Sequence, residues 1–248
     1  MAGRLLSEMT WGEAAEALKH NPVVVLPVGG GVKEHGHHLP LGTDMMVVNE
    51  LAGAVLKRCD VLMLPTLNYA YFPAFVDWPG SVSIEAENFQ RFVGDIIRCY
   101  VKHGARKFLI LDGGVSTQYP LAILSSDLHN QLGIEVAVTD IRGLGAETID
   151  AVCEARGGGH GDESETSNLL AIRPDLVRMQ NAEKELSADR YATTSPTGVR
   201  KVGVRSKMGG RSGINGDPRR ATAEKGRKIL AAMAEDIVAF VESFQSHA

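Results

Sequence analysis

The chain has 248 residues, of which 44% are hydrophobic and 23% charged, and its formal net charge at pH 7 is -4. This mild acidic balance argues against proteins that bind nucleic acids or anionic membranes through a basic surface. No apolar run approaches the roughly 20 residues of a membrane helix, and no long apolar stretch follows Arg4 as in a secretory signal. We therefore expect a cytoplasmic protein with reduced, buried thiols at Cys59, Cys99 and Cys153.

Short apolar runs alternate with segments of helical periodicity along the chain. Thr10 and Glu13 have the spacing of a capping box at a first helix, and Thr43 or Asp44 is placed to cap the helix that follows the apolar strand Val23–Val28. Further strands are predicted at 61–65, 107–111 and 135–140, and further helices at 84–103, 119–132, 147–155 and 221–244. The alternation predicts one α/β domain over residues 1–248, a three-layer α/β/α sandwich with a mainly parallel sheet.

The loop after the first apolar strand has the residues typical of a metal site. His35, His37 and His38 lie within four positions, and Glu34 and Asp44 flank them. Imidazole nitrogens and carboxylate oxygens are the ligands that zinc and similar divalent cations prefer. The loop also leaves the carboxyl end of a strand, where open α/β sheets place their sites. We therefore predict that this loop holds a catalytic metal ion.

Other segments are candidates for the same site or for a contact beside it. The loop at 112–117 leaves the same sheet edge, and the aromatic loop at 69–80 is typical of either a ligand site or an oligomer contact. His160 precedes a helix start that contains Glu165, so both can face one pocket. Asp162 and Glu163 are better explained as acids that complement the helix dipole. An edge strand or hairpin is predicted at 198–204, whose basic residues favour a solvated face or subunit contact over an anionic-substrate site.

The sequence resembles the creatininase (creatinine amidohydrolase) family of metal-dependent hydrolases over most of its length. The most specific motif is His35-Gly36-His37-His38-Leu39-Pro40-Leu41-Gly42-Thr43-Asp44, and weaker motifs follow in the family's order at 78–83, 165–167, 173–177 and 216–226. The resemblance implies a creatininase-like fold and one or two bound Zn²⁺ or Mn²⁺ ions. It also implies a small cyclic substrate and a homo-oligomer, with a hexamer as the expected assembly.

The resemblance also assigns roles to individual residues. It makes His35 and Asp44 metal ligands and His160 the catalytic histidine. The family's ligand glutamate falls at Lys33 here, so we expect the adjacent Glu34 to take that role, and Glu165 is a further candidate ligand. The residues expected to contact substrate are Lys33, Tyr71, Trp78 and Ser116.

One departure from the family concerns the number of ions. The family's ligand histidine in the loop after the 107–111 strand is replaced by Gly114. A two-ion centre would then lack one ligand, so either one ion binds tightly or a substitute exists among Asp112, His37 and Ser116. The remaining histidine of the motif, His38, is expected to be structural or to support the ligands.

The implied reaction is metal-assisted hydrolysis. A bound cation lowers the pKa of its water to about 7 and so provides hydroxide, while His160 donates a proton to the leaving group. The leading hypothesis is an enzyme that opens a small cyclic amide or cleaves another carbon–nitrogen bond that is not a peptide bond. The alternatives are hydrolytic carbon–carbon cleavage of a cyclic diketone of the oxidised-inositol type, and a non-catalytic member that has lost one metal site. Creatinine itself is not the expected substrate, because Gly114 and Lys33 depart from the family where specificity is set.

Overall fold

The computed structural model describes residues 2–186 and 211–246, and its strands form a five-stranded parallel sheet in the order β1-β3-β2-β4-β5. The strands are β1 (Arg4–Leu5), β2 (Val23–Val28), β3 (Val61–Met63), β4 (Lys107–Asp112) and β5 (Glu135–Val138). The helices are α1 (Trp11–Leu18), α2 (Thr43–Arg58), α3 (Ala86–Val101), α4 (Gln118–Leu132), α5 (Ala146–Val152), α6 (Glu163–Ile172) and α7 (Ala223–Ser246). Short 3₁₀ turns lie at Leu6–Glu8, Pro73–Phe75, Pro174–Leu176, Met179–Asn181 and Pro218–Arg220.

Helices cover both faces of the sheet, and the side chains of β2 show this directly. All six residues of the strand are buried. Val23 and Val25 point into a core formed with α2, α5, α6 and α7. Val24 and Val28 point into a second core formed with α1, α3 and α4. A strand covered on both faces has the nearly continuous apolar run seen in the sequence. The predicted three-layer α/β/α architecture is thus confirmed.

The two predicted helix caps have different outcomes. Thr10 and Glu13 form the predicted capping box at α1. The predicted cap of α2 is wrong, because this helix begins at Thr43 with Gly42 before it and no side chain closes its first turn. The Thr43 hydroxyl instead donates to the Pro40 carbonyl at 2.7 Å. Asp44 does not cap the helix, and its side chain instead contacts Lys33 and His35 in the preceding loop.

Element boundaries differ from the predictions mainly at the ends. The strands predicted at 61–65 and 135–140 end at Met63 and Val138, and the last helix begins at Ala223. Strand β1 was not predicted, because two residues are too few for a periodic signal. The edge strand predicted at 198–204 lies outside the described residues, and the single domain over 1–248 stays a prediction.

The cysteine prediction is correct for two residues and wrong for the third. Cys59 and Cys153 are buried, whereas Cys99 is exposed on α3. The three thiols are free. Within the described ranges, no helix combines the length and apolar character needed to cross a bilayer.

The sheet brings two loops together at its carboxyl edge. Strands β2 and β4 are parallel neighbours, and Val28 pairs with Asp112 at their ends. The loops that follow both strands therefore leave the sheet side by side. Helix α6 is held close to α7 by Gly226, where a Cβ atom would come within 1.9 Å of the Ser167 carbonyl oxygen.

Candidate metal centre

The loop between β2 and α2 buries its charged side chains over the edge of the sheet. His35 is fully buried, and Lys33, Glu34 and Asp44 are each at most 6% exposed. The backbone is anchored on both sides, since Lys33 N donates to the Leu41 carbonyl at 3.0 Å and Glu34 N donates to the Ser81 hydroxyl at 2.9 Å. Charges removed from water in this way need partners inside the protein.

His35 joins two parts of this loop. Its Nδ1 lies 2.9 Å from the Lys33 carbonyl oxygen, and its Nε2 lies 2.8 Å from Asp44 Oδ1. Both partners are acceptors when the aspartate is ionised, so the ring donates from both nitrogens in this arrangement and carries a positive charge. A metal ion bound to His35 would replace one of these two protons.

Asp44 has two cationic neighbours. Lys33 Nζ lies 2.5 Å from its Oδ2 as an ion pair, although the angles are not those of a hydrogen bond. The same ammonium lies 5.1 Å from the centre of the Phe72 ring and 5.0 Å from that of Phe75. Burial opposes ionisation, but Lys33 and His35 together hold the pKa of Asp44 well below its usual range.

His160 approaches from the segment before α6 and pairs with Glu34. A backbone bridge to Asn215 holds it in place, with N···O distances of 3.2 and 2.8 Å. Its Nε2 lies 3.1 Å from Glu34 Oε2. Burial works against the glutamate charge, yet its hydrogen bond with His160 leaves the pKa of Glu34 lowered. Burial also lowers the pKa of His160 to about 4. A neutral ring that donates from Nε2 keeps a lone pair on Nδ1.

Glu165 faces that lone pair from the first turn of α6. Asp162 caps this helix through the backbone amides of Ser164 and Glu165, which agrees with the prediction that Asp162 belongs to the helix start. Glu165 Oε2 accepts from Gly161 N at 2.6 Å and lies 3.9 Å from His160 Nδ1. Burial raises the pKa of Glu165 to about 7, although 29% of this side chain remains exposed.

His35, His160 and Glu165 together form a group that could hold a metal ion. One donor atom of each lies within 4.8 Å of the others, and no second group of three such residues occurs among the residues that the structure describes. Two imidazoles and a carboxylate match the three protein ligands of many catalytic zinc sites. The donors therefore fit one divalent ion.

Two of the four predicted ligands, His35 and Glu165, belong to the three-donor group. The other two lie beside it: Glu34 pairs with His160, and Asp44 pairs with Lys33 and His35. The ligand roles of all four stay predictions. His160, predicted as the proton donor, lies within the donor group with its Nδ1 free to accept.

The predicted substrate contacts are only partly gathered at this site. Lys33 is present, but its ammonium faces Asp44. Tyr71 and Trp78 are half-buried and pack against the core on the α3 side, and Ser116 is half-buried in the loop after β4. The aromatic loop contributes Phe72 and Phe75 instead, and Phe75 lies 4.6 Å from His160 between ring centres. The sequence indicated this loop but could not show which rings turn inward.

The loop after β4 holds two of the proposed substitutes for the missing histidine, Asp112 and Ser116, and the role of Ser116 stays a prediction. Asp112 accepts from Gly114 N at 3.2 Å and from Thr117 Oγ1 and Gln118 Nε2 at 2.6 Å each, so it is occupied within its own loop. Burial raises the pKa of Asp112 to about 7. His37, another proposed substitute, is exposed.

Two further residues support the site. His38 Nε2 lies 2.9 Å from Thr166 Oγ1, the contact expected of a structural histidine. Gly213 was missed by the sequence analysis, although its segment crosses directly over Glu34. A Cβ atom at Gly213 would lie 2.1 Å from Glu34 Oε1, and its φ of +90° favours glycine. Only the glycine-rich composition of 209–217 hinted at so close an approach.

Comparison with known sequences identifies relatives of this chain. A profile of the creatininase family, described as creatinine amidohydrolase, matches residues 7–241. Creatinine amidohydrolase of Pseudomonas putida is 28% identical over 199 residues, 69% of this chain and 73% of the relative. A mycofactocin precursor peptide peptidase of Mycobacterium ulcerans is 28% identical over 249 positions, 94% of this chain and 90% of the relative. The 3-dehydro-scyllo-inosose hydrolase of Thermotoga maritima is 25% identical over 72% of this chain and 59% of that relative.

Solved structures have the same fold. A mutant creatininase superposes with a TM-score of 0.82 at 24% identity, covering 99% of this chain and all of that chain. A manganese creatininase gives a TM-score of 0.79 at 24% identity, over 99% of this chain and 100% of the other. A mutant creatininase of the Zn-Zn type gives 0.77 at 22% identity, with full coverage of both chains.

Proposed function

The chain belongs to the creatininase family of hydrolases, and we propose that it uses a divalent ion, Zn²⁺ or Mn²⁺, to open a small cyclic amide. The observation that carries this proposal is the group formed by His35, His160 and Glu165 at the carboxyl edge of the sheet. Creatininases solved with manganese and in a Zn-Zn form support the choice of ions. A mutant creatininase complexed with creatine supports a small-molecule substrate.

The residues around this group hold its donors in position. Glu34 accepts from His160 Nε2, which keeps Nδ1 turned towards Glu165. Such a carboxylate behind a histidine fixes both the tautomer and the ring orientation. An ion bound here would polarise the substrate carbonyl and lower the pKa of a water towards about 7. Glu165 is the most exposed of the three donors, so substrate would reach the group from its side.

The geometry favours His160 as a ligand over its predicted role as a proton donor. A neutral ring whose Nε2 donates to Glu34 has no proton on Nδ1 to give, while that nitrogen can bind an ion. We propose that His160 contacts the ion through Nδ1. A proton needed at the leaving nitrogen would then have to come from a group other than His160.

The burial of the site supports a small substrate. His35 is fully buried, His160 is 3% exposed, and the rings of Phe72 and Phe75 cover the charged residues beside them. Apolar walls of this kind exclude water and strengthen the electrostatic interactions of the site. A compact ring needs less access to such a site than an extended peptide does.

Cleavage of a peptide is a second candidate. The peptide peptidase relatives align over 94% of the chain, which supports a peptide-like amide as the scissile bond. Carbon–carbon cleavage of an oxidised inositol has weaker support, since the inosose hydrolase is 25% identical to this chain, against 28% for the creatinine amidohydrolase and the peptide peptidase.

A substrate panel separates these reactions. The protein is loaded with Zn²⁺ or Mn²⁺ and incubated with creatinine, hydantoin-type cyclic amides, short peptides and a cyclic diketone, and mass spectrometry follows the addition of water. We expect ion-dependent opening of a cyclic amide. Cleavage of peptides alone would favour the second candidate. A protein that binds the ion and turns over no member of the panel would contradict the proposed activity.

Two histidine variants test the donor group. His35→Asn should lose both the bound ion and the activity, because one of three donors is removed. His37→Asn is the matched control, since His37 is exposed in the same loop, and it should retain both. His160→Ala should also lose the ion. Retention of the ion with lost turnover would return His160 to the proton-transfer role predicted from the sequence.

We also propose that the chain forms a homo-oligomer in the cytoplasm, as the resemblance implies. Apolar side chains on α3 and α4 support an assembly, because Phe92, Tyr119 and Ile123 are 49%, 50% and 59% exposed. Light scattering after size-exclusion chromatography should give a multiple of 26.6 kDa, with six copies as the expected assembly. A monomer at micromolar concentration would contradict this.

A further inference from the structure

The ammonium of Lys33 occupies a position that a cation would otherwise take beside Asp44. We propose that Lys33 is a built-in counter-charge that limits the centre to one divalent ion per chain. The inference concerns the same site as the proposed function and rests on it only for the existence of that ion. Its test counts bound ions and requires no turnover.

Both oxygens of Asp44 are already engaged. Oδ1 lies 2.8 Å from His35 Nε2, and Oδ2 lies 2.5 Å from Lys33 Nζ. A divalent ion that used Asp44 as a ligand would have to displace the ammonium or share the carboxylate with it at close range. Like charges at that separation repel strongly inside a protein.

The surroundings of Lys33 hold the ammonium in place. The side chain is buried, and its charge lies about equally far from the rings of Phe72 and Phe75, at 5.1 and 5.0 Å. Aromatic faces attract a desolvated cation. An ammonium that left Asp44 without reaching water would be a buried charge with no partner, which is costly. Lys33 is therefore a stable part of the centre.

The neighbouring loop offers no imidazole and no unengaged carboxylate for a second ion. Gly114 has no side chain, and Asp112 is bonded to Thr117 and Gln118 of its own loop. The three-donor group found among the described residues contains His35, His160 and Glu165 and leaves Asp44 out. The positive charge of Lys33 and the missing histidine at Gly114 therefore both disfavour a second ion.

Ion counting tests this inference. The protein is dialysed against Mn²⁺ or Zn²⁺, and inductively coupled plasma mass spectrometry and native mass spectrometry give the ions per chain. We expect one ion in the unaltered protein. Lys33→Glu replaces the ammonium by a second carboxylate beside Asp44 and should raise the count to two. Lys33→Met removes only the charge and should bind the single ion at least about tenfold more tightly.

Lys107→Met is the matched control. Lys107 is equally buried, and its ammonium also lies over an aromatic ring, 5.6 Å from the centre of Phe244. It stands at the start of β4, at the opposite edge of the sheet. Removing this charge should change neither the count nor the affinity. Circular dichroism and thermal melting show which variants fold.

Each outcome supports or overturns the inference. Two ions per chain in the unaltered protein would overturn it, as would a folded Lys33→Glu variant that stays at one. Should Lys33→Glu not fold, the affinity of Lys33→Met decides, and an unchanged dissociation constant would refute the role of the charge. One ion per chain in the unaltered protein, two in Lys33→Glu and no turnover of any member of the substrate panel would contradict the proposed hydrolase while sustaining the inference.

Discussion

Two buried aspartates at the same edge of the sheet have opposite surroundings. Asp44 follows the loop after β2, and Asp112 ends the adjacent strand β4. Asp44 lies between two cations, Lys33 and His35. Asp112 accepts hydrogen bonds from neutral groups, a backbone amide, a hydroxyl and a side-chain amide. The comparison isolates the effect of cationic partners on a buried carboxylate.

The pKa values of the two groups move in opposite directions for this reason. Burial alone raises the pKa of an aspartate, because it disfavours the charged form. For Asp112 burial dominates and raises the pKa to about 7. For Asp44 the attraction of Lys33 and His35 exceeds the effect of burial, and the pKa falls well below its usual range. The loop after β2 is thus organised around charge, and the loop after β4 around neutral hydrogen bonds.

The largest expected effect is that of Asp44→Asn. The amide can still accept from His35, but it leaves the buried ammonium of Lys33 without a counter-charge. Removal of one partner of a buried ion pair typically costs about 3–5 kcal/mol, and we expect a loss of that size in urea unfolding at neutral pH. Asp95→Asn on the exposed face of α3 is the control and should stay within about 0.5 kcal/mol. A loss below about 1 kcal/mol would show that the Lys33–Asp44 pair is not desolvated.

Asp112→Asn tests the aspartate whose pKa is raised, through the dependence of folding stability on pH. The unfolded chain releases this proton near pH 3.8, whereas the folded protein keeps it until about pH 7. The favourable contribution of Asp112 is therefore complete below pH 3.8 and is lost as the pH rises through 7. Asparagine imitates the protonated form and does not titrate. The difference between these two pKa values means that the variant should gain about 4 kcal/mol relative to the unaltered protein between about pH 4 and 8.

Denaturant unfolding at several pH values measures this gain as a difference between the two proteins. Glu165 and His160 titrate in the same range, but they are present in both proteins and their contributions cancel. A difference that stays constant with pH would mean that Asp112 is ionised in the folded protein.

The sheet and the first loop could be predicted from the sequence because their signals are local. Val23–Val28 is an unbroken apolar run, and the histidines that follow it indicate a metal site. The pairing within the loop could not be predicted. Whether Lys33 or Glu34 faces Asp44 depends on the backbone path between Gly29 and Gly36, and two adjacent residues give the same composition either way.

The contributions from distant segments were also beyond sequence reasoning. Glu34 was predicted to bind metal but pairs with His160, which lies 126 positions away. Gly213 packs over that glutamate, although the residues around Gly213 do not indicate which loop it contacts. Contacts of this kind follow from how α6 and the segment at 211–217 pack on the sheet, which no periodic pattern records.

The smallest expected effect concerns whether the loop after β4 can accept a side chain where Gly114 stands. A Cβ atom there would lie 2.4 Å from Thr117 Oγ1 and 2.9 Å from Phe72 Cε1. The hydroxyl would have to turn away from Asp112 and give up its hydrogen bond, so Gly114→Ala should cost about 1 kcal/mol. Gly53→Ala in α2 is the control, because no atom lies within 4 Å of its Cβ position, and it should stabilise by about 0.5–1 kcal/mol. Equal stabilisation by both substitutions would mean that the loop after β4 has room for a ligand side chain, and the contrast between the two loops would then rest on sequence alone.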